Sequence, residues 1–155
     1  MKILVLSDSH GGIDAMHRAV EAVQPHRILF LGDGLYDAEK LQRDYPDIPM
    51  ETVPGNCDHG ASGESEKLIE VNNIRIFMLH GHTRNVKYDP MRAIYAAREY
   101  GAQILLFGHT HRASVDYDGT LYVMNPGTIG DRTKASYGVI TMENNRLDCS
   151  VFRLE

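Results

Sequence analysis

Metal-binding side chains recur in this sequence at one kind of position, directly after an apolar run. The runs are KILVLS, RILFLG, METVPG, IRIFML and QILLFG. The residues that follow them are carboxylates, an amide and imidazoles, and this mixture suits Mn²⁺, Fe, Zn²⁺ or Ni²⁺ better than Ca²⁺. The candidate ligands are Asp8, His10, Asp33, Asn56, His80, His109 and His111.

The size of this set indicates more than one metal ion. Seven candidates are too many for one structural zinc ion, and no cluster of cysteines supports such a site. The number is about right for two ions that share one carboxylate. A lone histidine after a strand is usually a surface residue, and Gly-Asp after a strand is common turn chemistry. Because all five runs end in such residues, the ordered set favours a functional metal site.

The remaining histidines fit no such pattern. His17 is interpreted as a helix-face residue, His26 as a loop residue after a proline, and His59 as solvent-exposed. His82 is left open between a contact with substrate and a role beside the ligands.

In the first half of the chain, predicted strands alternate with predicted helices. KILVLS, RILFLG and the weaker METVPG are typical of buried parallel strands. Between them, IDAMHRAVEAV has apolar residues at helical spacing and ends before Pro25. A shorter helix with Ala38, Leu41 and Tyr45 on its apolar side stops before Pro46. This alternation favours parallel βαβ units.

The second half of the chain is richer in hairpins. We predict turns at Asn72-Asn73, at Asp118-Gly119 and near Asn144-Asn145. QILLFG adds one more buried strand. Together the two halves predict a layered α/β protein with one mostly parallel sheet and one sheet rich in hairpins.

One predicted helix interrupts the hairpins. Asp89 is placed at its N-cap, Pro90 at its first helical position and Gly101 at its C-terminal stop. The predicted apolar stripe consists of Met91, Ile94 and Tyr95.

The predicted strand order brings the candidate ligands together. In open α/β sheets, sites form beyond the carboxyl ends of the strands, so the five loops should converge. Glycines at 32, 55, 81 and 108 precede polar residues in these loops. We expect them to allow tight backbone turns that direct the ligands inward.

Composition narrows the class of protein. A chain of 155 residues suits a single domain, residues 1–155. Its net charge of −5 disfavours a stable nucleic-acid complex, but a bound metal can still attract a phosphate group. No apolar run approaches the roughly 20 residues of a membrane span, and the start lacks the apolar core of a signal peptide. Cys57 and Cys149 are far apart, so a reduced, cytoplasmic protein is expected. A homo-oligomer stays open.

The motifs D-x-H, GD, GN, HGH and GHTH, in this order, resemble those of the calcineurin-like metallophosphoesterases. The closest match is the small bacterial and archaeal phosphodiesterase branch, and NPGT at 125–128 is similar to a loop of that branch. The resemblance spans the whole chain. It implies a four-layer α/β/β/α sandwich of two mixed sheets, with a dinuclear site at the carboxyl ends of the strands. It assigns one ion to Asp8, His10, Asp33 and His111, and a second to Asp33, Asn56, His80 and His109, with Asp33 as the bridge.

The resemblance also implies a reaction. Two divalent ions about 3.5–4 Å apart hold a bridging water and lower its pKa toward about 7, and the hydroxide attacks phosphorus in line with the leaving oxygen. Manganese is the expected metal, with nickel, iron, zinc or magnesium as alternatives, and a small phosphodiester is the expected substrate. A phosphomonoesterase of the same mechanism is the first alternative. A non-catalytic scaffold, like the retromer coat subunit of this fold, is the second, and the complete set of ligand positions disfavours it.

Cys57 departs from the commoner family motif, which has histidine after Gly-Asn. The phosphodiesterase branch is known for this variant, but it leaves the identity of any general acid open. We interpret Cys57 as a residue that fills space beside the site and donates at most a weak hydrogen bond. Asp58 is expected to hold the loop or to orient a ligand. Three arginines are interpreted as solvated surface residues: Arg84, Arg92 and Arg132.

Overall fold

The chain forms two five-stranded sheets and three α-helices in a computed structural model that describes residues 1–155. The strands are β1 (Lys2–Leu6), β2 (Arg27–Phe30), β3 (Met50–Thr52), β4 (Glu66–Val71), β5 (Ile74–Leu79), β6 (Ile104–Leu106), β7 (Ser114–Tyr117), β8 (Tyr122–Asn125), β9 (Ser136–Glu143) and β10 (Arg146–Arg153). The helices are α1 (Ile13–Val23), α2 (Leu35–Asp44) and α3 (Met91–Glu99).

Both sheets are mixed, as the family resemblance implies, so the prediction of one mostly parallel sheet beside one sheet rich in hairpins is wrong. The first has the order β10-β9-β1-β2-β3, in which β1, β2 and β3 are parallel and β9 and β10 are antiparallel to their neighbours. The second has the order β4-β5-β6-β8-β7, in which β5, β6 and β8 are parallel. The hairpins are therefore distributed between the sheets and form antiparallel pairs at their edges.

Alternation along the strands builds the layers. In β1, Leu4 and Leu6 pack against α1 and α2, whereas Ile3 and Val5 face the other sheet. Side chains of β5 and β6 also alternate between two faces. One face of the second sheet packs against the first sheet, and the opposite face packs against α3. Because successive side chains of a strand point to opposite faces, continuous apolar runs fill two separate cores at once. The predicted four-layer α/β/β/α sandwich is confirmed.

The predicted turns are close to those observed. Asn72-Asn73 and Asn144-Asn145 have positive φ at both residues and join their strands as two-residue hairpins. The Asp118-Gly119 hairpin has a longer loop, residues 118–121, because the Asp118 carboxylate accepts hydrogen bonds from the backbone N–H groups of Thr120 and Leu121.

The predicted apolar stripe of α3 is wrong for two of its three residues; only Ile94 packs, partly buried, against the core. The buried residues of this helix are Ala93, Ala96 and Ala97, whereas Met91 and Tyr95 are exposed. Small side chains allow the helix to lie close to β6, and this close packing outweighs the burial of larger residues.

The two ends of α3 are nearer to expectation. The N-cap is Pro90 and the helix begins at Met91, so the predicted start lies one residue too early. Asp89 Oδ1 still accepts a hydrogen bond from the Met91 backbone N–H at 2.9 Å. Gly101, just beyond the helix, has φ of 69°.

None of the helices combines the length and the apolar character that are needed to span a membrane.

Arg84 is not a solvated surface residue, and that prediction is wrong. Its guanidinium forms two hydrogen bonds with Glu66, from Nε at 2.6 Å and from Nη2 at 2.9 Å. A planar guanidinium matches the two oxygens of a carboxylate, so the pair ties the turn after His82 to strand β4. Arg92 and Arg132 are exposed, as predicted.

Candidate metal centre

The polar residues that follow the strands meet at one edge of the sandwich. Strands of both sheets deliver them: β1, β2 and β3 from the first, and β5 and β6 from the second. Six of the seven candidates form two groups, and within each group the potential ligand atoms lie within 4.8 Å of one another. The first group is Asp8, His10 and His111, and the second is Asp33, His80 and His109.

Asp8 lies at the centre of the first group and is fully buried. Its Oδ1 is 3.0 Å from His111 Nε2 and 3.8 Å from His10 Nε2. Its Oδ2 accepts hydrogen bonds from the Ser7 hydroxyl at 2.5 Å and from the His109 backbone N–H at 3.2 Å. One oxygen thus anchors the side chain to the protein, and the other faces the imidazoles.

His80 lies at the centre of the second group and is also fully buried. Its Nδ1 is 2.8 Å from the Leu31 carbonyl oxygen, which can only accept a hydrogen bond. Nδ1 therefore carries the hydrogen, and Nε2 presents its lone pair toward Asp33 Oδ2 at 3.3 Å and His109 Nδ1 at 3.1 Å. A carbonyl that fixes the tautomer of a histidine in this way is typical of metal sites.

The protonation of the imidazoles fits a cation. Burial, followed by nearby His80 and Lys87, lowers the pKa of His109 to about 4. Burial, then His80, also lowers the pKa of His82. A neutral imidazole is the form that binds a metal. The two groups contain two buried carboxylates, so divalent cations match their charge and donor chemistry.

The backbone around the ligands is strained. Left-handed φ values between 42° and 67° occur at five candidates. Such values are uncommon for residues other than glycine, and they persist only where the surrounding structure imposes them. Nothing in the sequence pattern predicted this feature. The five are Asp8, His10, Asp33, His109 and His111.

The glycines before the ligands serve two different purposes. Gly32 and Gly81 have φ of 103° and 122°, in agreement with the predicted tight turns. For Gly55 and Gly108 that prediction is wrong, because neither has a positive φ. A Cβ on Gly55 would lie 2.1 Å from Asp33 Oδ1, and one on Gly108 would overlap a side chain of the β1 loop at the same distance. These two positions need glycine because other loops pack directly against them.

Asp58 holds two ligand loops together. Its Oδ2 accepts hydrogen bonds from the backbone N–H groups of Asp33 at 2.7 Å and Gly55 at 2.8 Å. Its Oδ1 accepts from Gly34 at 2.9 Å and Leu35 at 3.0 Å. One carboxylate therefore fixes the β2 loop, the β3 loop and the start of α2, which is the first of the two roles expected for it.

Asp37 is a positioning residue that sequence reasoning missed. It is buried, and its Oδ2 accepts hydrogen bonds from the Ser9 hydroxyl at 2.7 Å and from the Gly11 backbone N–H at 2.8 Å. It therefore holds the loop that carries His10. The spacing of Asp37 and Leu41, four residues apart on one helix, places both on the inner face and could have indicated this.

The NPGT loop links the β1 loop to the β6 loop. The Thr128 hydroxyl donates to the Asp8 carbonyl oxygen at 2.7 Å. The Asn125 amide, which is buried, donates to the Gly108 carbonyl oxygen at 3.1 Å and to Thr110 Oγ1 at 2.9 Å. The loop therefore connects a ligand-bearing loop of one sheet with that of the other.

Asn56, the seventh candidate, is exposed. Its Nδ2 is 3.5 Å from Cys57 Sγ, and its place among the metal ligands stays a prediction. The Cys57 backbone N–H donates to Asp33 Oδ1 at 2.8 Å. A hydrogen bond to Asp33 and then burial raise the pKa of the Cys57 thiol, so the thiol is neutral near pH 7 and is a poor nucleophile.

The other histidines lie where the sequence placed them. His17 is on α1, and its ring contacts the Ile13 carbonyl oxygen at 2.9 Å and Asp44 at 2.7 Å. His26 and His59 are exposed. His82 is exposed with its ring centroid 6.2 Å from that of His109, which is a position beside the ligands rather than among them.

Comparison with known proteins agrees with this geometry. Residues 1–145 match the sequence profile of the calcineurin-like phosphoesterase superfamily domain. The probable metallophosphoesterase YsnB of Bacillus subtilis is 31% identical over 149 residues, which cover 94% of this chain and 86% of YsnB. The phosphodiesterase YfcE of Escherichia coli is 24% identical over 167 residues, which cover 90% of this chain and 87% of YfcE.

The fold is also shared with a solved structure. Vps29 of Entamoeba histolytica, crystallised in complex with Zn²⁺, superimposes with a TM-score of 0.71 at 19% identity, and the match covers 100% of both chains.

A two-sheet sandwich with two groups of metal-binding side chains at one edge is the architecture of a metallophosphoesterase. The chain belongs to the calcineurin-like phosphoesterase superfamily. Its class of activity is therefore the metal-dependent hydrolysis of phosphoric esters.

Proposed function

We propose that this chain, as one domain, hydrolyses phosphodiesters at a site for two divalent metal ions. The observation that carries the proposal is the pair of ligand groups, built around buried Asp8 and Asp33. The similarity to the phosphodiesterase YfcE supports the diester class. Manganese is the proposed metal, with iron, zinc, nickel or magnesium as alternatives, since the mixture of carboxylate and imidazole donors suits several of these ions.

One ion would be held by Asp8, His10 and His111, and the other by Asn56, His80 and His109, with Asp33 as a ligand shared by both. When bound, the two ions polarise the phosphoryl group and activate a water molecule for attack on phosphorus. The chain fixes the donor atoms in advance: Leu31 sets the tautomer of His80, and Ser7 restrains the carboxylate of Asp8. Such prior ordering is what makes electrostatic stabilisation of a transition state effective.

The site is open on the side of its imidazoles. The side chains of His10 and His111 are 43% and 47% exposed, whereas Asp8 behind them is fully buried. A diester carries two arms on its phosphorus, one of which leaves while the other stays attached, and an open rim accommodates both without closure of a lid. The complete set of donors, in two groups, is the feature that favours an enzyme over a scaffold of this fold.

The substrate class can be tested directly. With Mn²⁺ present, we expect bis(p-nitrophenyl) phosphate to be cleaved with kcat/KM about tenfold or more above that of p-nitrophenyl phosphate. The similarity to the phosphodiesterase YfcE and the exposed side of the site, which leaves room for a second ester arm, favour the diester. A clear preference for the monoester would replace the diesterase assignment with the monoesterase. If metal-loaded protein hydrolyses neither the diester nor the monoester, the result would favour the non-catalytic scaffold.

Cys57 gives a second prediction. Because the thiol is neutral and contacts Asp33 only through a weak hydrogen bond, Cys57→Ser and Cys57→Ala should keep kcat/KM on an aryl diester within about fivefold of wild type. An aryl leaving group needs little protonation. Cys57→His is expected to help only esters with poorer leaving groups. A loss of about 10³-fold in Cys57→Ser with unchanged metal content, the scale of a lost catalytic group, would contradict this view.

A further inference from the structure

A cavity opens beside the second ligand group, on the side of Cys57. Its volume is ≈ 590 Å³, and its walls are the first turn of α2 and the loop of residues 57–62. This volume lies within the range of about 300–1,000 Å³ typical of small-molecule sites. Cys57 lines the cavity and donates its backbone N–H to Asp33 Oδ1, so the cavity begins one residue away from a proposed metal ligand.

Tyr36 contributes a phenol ring to this cavity. The residue is 68% exposed, and Lys40 Nζ lies 5.3 Å from the centroid of its ring. Tyr36 lines the cavity, whereas Lys40 does not. The ring therefore has a cation near it and is exposed enough to be contacted by a ligand in the cavity.

The backbone that carries Tyr36 is held firmly. Its neighbour Leu35 packs against the core beneath α1, and the Leu35 backbone N–H donates to Asp58 Oδ1 at 3.0 Å. Asp58 also receives the Asp33 backbone N–H at 2.7 Å. One carboxylate thus fixes both a candidate ligand and the helical turn that presents the ring, so their separation is set by the fold.

The charge of the cavity wall limits what it can accept. The wall contains the carboxylates of Glu39 and Asp58 and no Lys or Arg. An arm ending in phosphate or carboxylate would be repelled there. A flat, uncharged aromatic group would instead bury apolar area against the exposed face of the ring and stack on it.

We propose that Tyr36 is a specificity residue that stacks against a flat aromatic arm of the substrate, such as an aryl group or a nucleobase. The proposal rests on the proposed function, because the arm must be attached to a phosphorus held at the metal site. It narrows the substrate class to esters of aromatic alcohols or of nucleosides.

The test compares two ligands that differ only in the arm. Phenylphosphonate and methylphosphonate are titrated into Mn²⁺-loaded protein by calorimetry, which requires no turnover. Wild type should bind phenylphosphonate about three- to tenfold more tightly than methylphosphonate, on the scale of one aromatic contact. Tyr36→Ala should reduce this ratio to nearly one with the affinity for methylphosphonate unchanged, and Tyr36→Phe should preserve the ratio.

Tyr95→Ala is the matched control. Tyr95 is 64% exposed and lies on α3, outside the cavity wall, so its removal should change neither affinity. Circular dichroism and Tm measurements check that each variant folds. If Tyr36→Ala does not fold, Tyr36→Phe, which keeps the aromatic ring, still tests whether the ring without its hydroxyl preserves the preference. Equal affinities of the two phosphonates in wild type, or an unchanged ratio in Tyr36→Ala, would overturn the proposal.

The same proteins distinguish this outcome from failure of the proposed function. If wild type hydrolyses bis(p-nitrophenyl) phosphate but binds the two phosphonates equally, only the role of Tyr36 would be rejected, and the proposed function would stand. If wild type binds phenylphosphonate more tightly than methylphosphonate but does not hydrolyse the diester, the aromatic binding site would be retained and the diesterase function rejected.

Discussion

Asp33→Asn is expected to lower kcat/KM on an aryl diester by about 10³-fold or more, the scale of a lost key catalytic group. Asp33 is 4% exposed, and its two oxygens have different neighbours: Oδ2 is 3.3 Å from His80 Nε2, and Oδ1 accepts the Cys57 backbone N–H. An amide removes the negative charge that offsets a divalent cation. If Asp33 bridges the two ions, as we propose, the substitution weakens both sites at once.

His10→Ala is the comparison that makes this result informative. His10 is 43% exposed and its Nε2 is 3.8 Å from Asp8 Oδ1, so water can replace it as a ligand. We expect a smaller loss, of about 10–100-fold. Metal content, measured by elemental analysis of both variants, should fall further in Asp33→Asn. A larger loss in His10→Ala, or wild-type metal content with wild-type activity in Asp33→Asn, would show that Asp33 is not the shared ligand.

Much of the fold is encoded in local patterns. Buried runs such as KILVLS fill both faces of a sheet, and the turn residues Asn72-Asn73 have the left-handed backbone that a two-residue hairpin requires. The convergence of the polar residues follows from one geometric rule, that parallel strands end at the same edge. These features depend on spacing along the chain, which the sequence displays directly.

Other features depend on packing between distant segments and were not predictable. The inner face of α3 is made of Ala93, Ala96 and Ala97, because the helix lies close to its sheet; hydrophobicity alone favours Met91 and Tyr95. Arg84 finds Glu66 across 18 positions of sequence, and nothing local marks the pair. In each case the partner, and not the residue type, decides the role.

The metal site also combines features that local sequence predicts with features that depend on distant segments. The ligands were recognisable as residue types, and Asp58 was expected to hold its loop, but the other groups that hold the strained backbone were not recognised. Asp37 looks like an ordinary polar residue of a helix, and Thr128 like a residue of a surface loop, until the structure places each against a ligand loop. Both accept or donate hydrogen bonds to backbone groups whose conformation a short sequence motif does not reveal.

Asp58→Ala is expected to lower kcat/KM by about 10²-fold, the cost of misplacing reactive groups by about 1 Å. Its carboxylate accepts four backbone N–H groups, two of which belong to Asp33 and Gly55. Without it, these groups must turn toward water, and the left-handed backbone of Asp33 loses its main support. Asp58→Asn should be little better, because its amide places N–H groups against two backbone donors.

The same substitution should reduce the free energy of unfolding by about 2–3 kcal/mol, as for loss of a hydrogen bond to a charged acceptor. Burial raises the pKa of Asp58, but the hydrogen bonds from Gly55, Leu35, Gly34 and Asp33 outweigh it and hold the pKa below its ordinary value. A depressed carboxyl pKa stabilises the fold above the unfolded-state pKa, and the contribution is lost as the pH falls through the folded-state pKa. The effect of Asp58→Ala on stability is therefore fully present at neutral pH.

Asp118→Ala separates a loss of stability from a loss of positioning. The Asp118 carboxylate also accepts backbone N–H groups, from Thr120 and Leu121, but it does so in the β7–β8 hairpin, away from the ligands. The substitution Asp118→Ala should weaken this turn and leave kcat/KM unchanged. Urea unfolding and steady-state kinetics at saturating Mn²⁺ measure both effects in both variants. If Asp58→Ala behaved like Asp118→Ala, less stable but fully active, then the strained conformation of Asp33 would be maintained by the rest of the fold, and Asp58 would be a structural residue only.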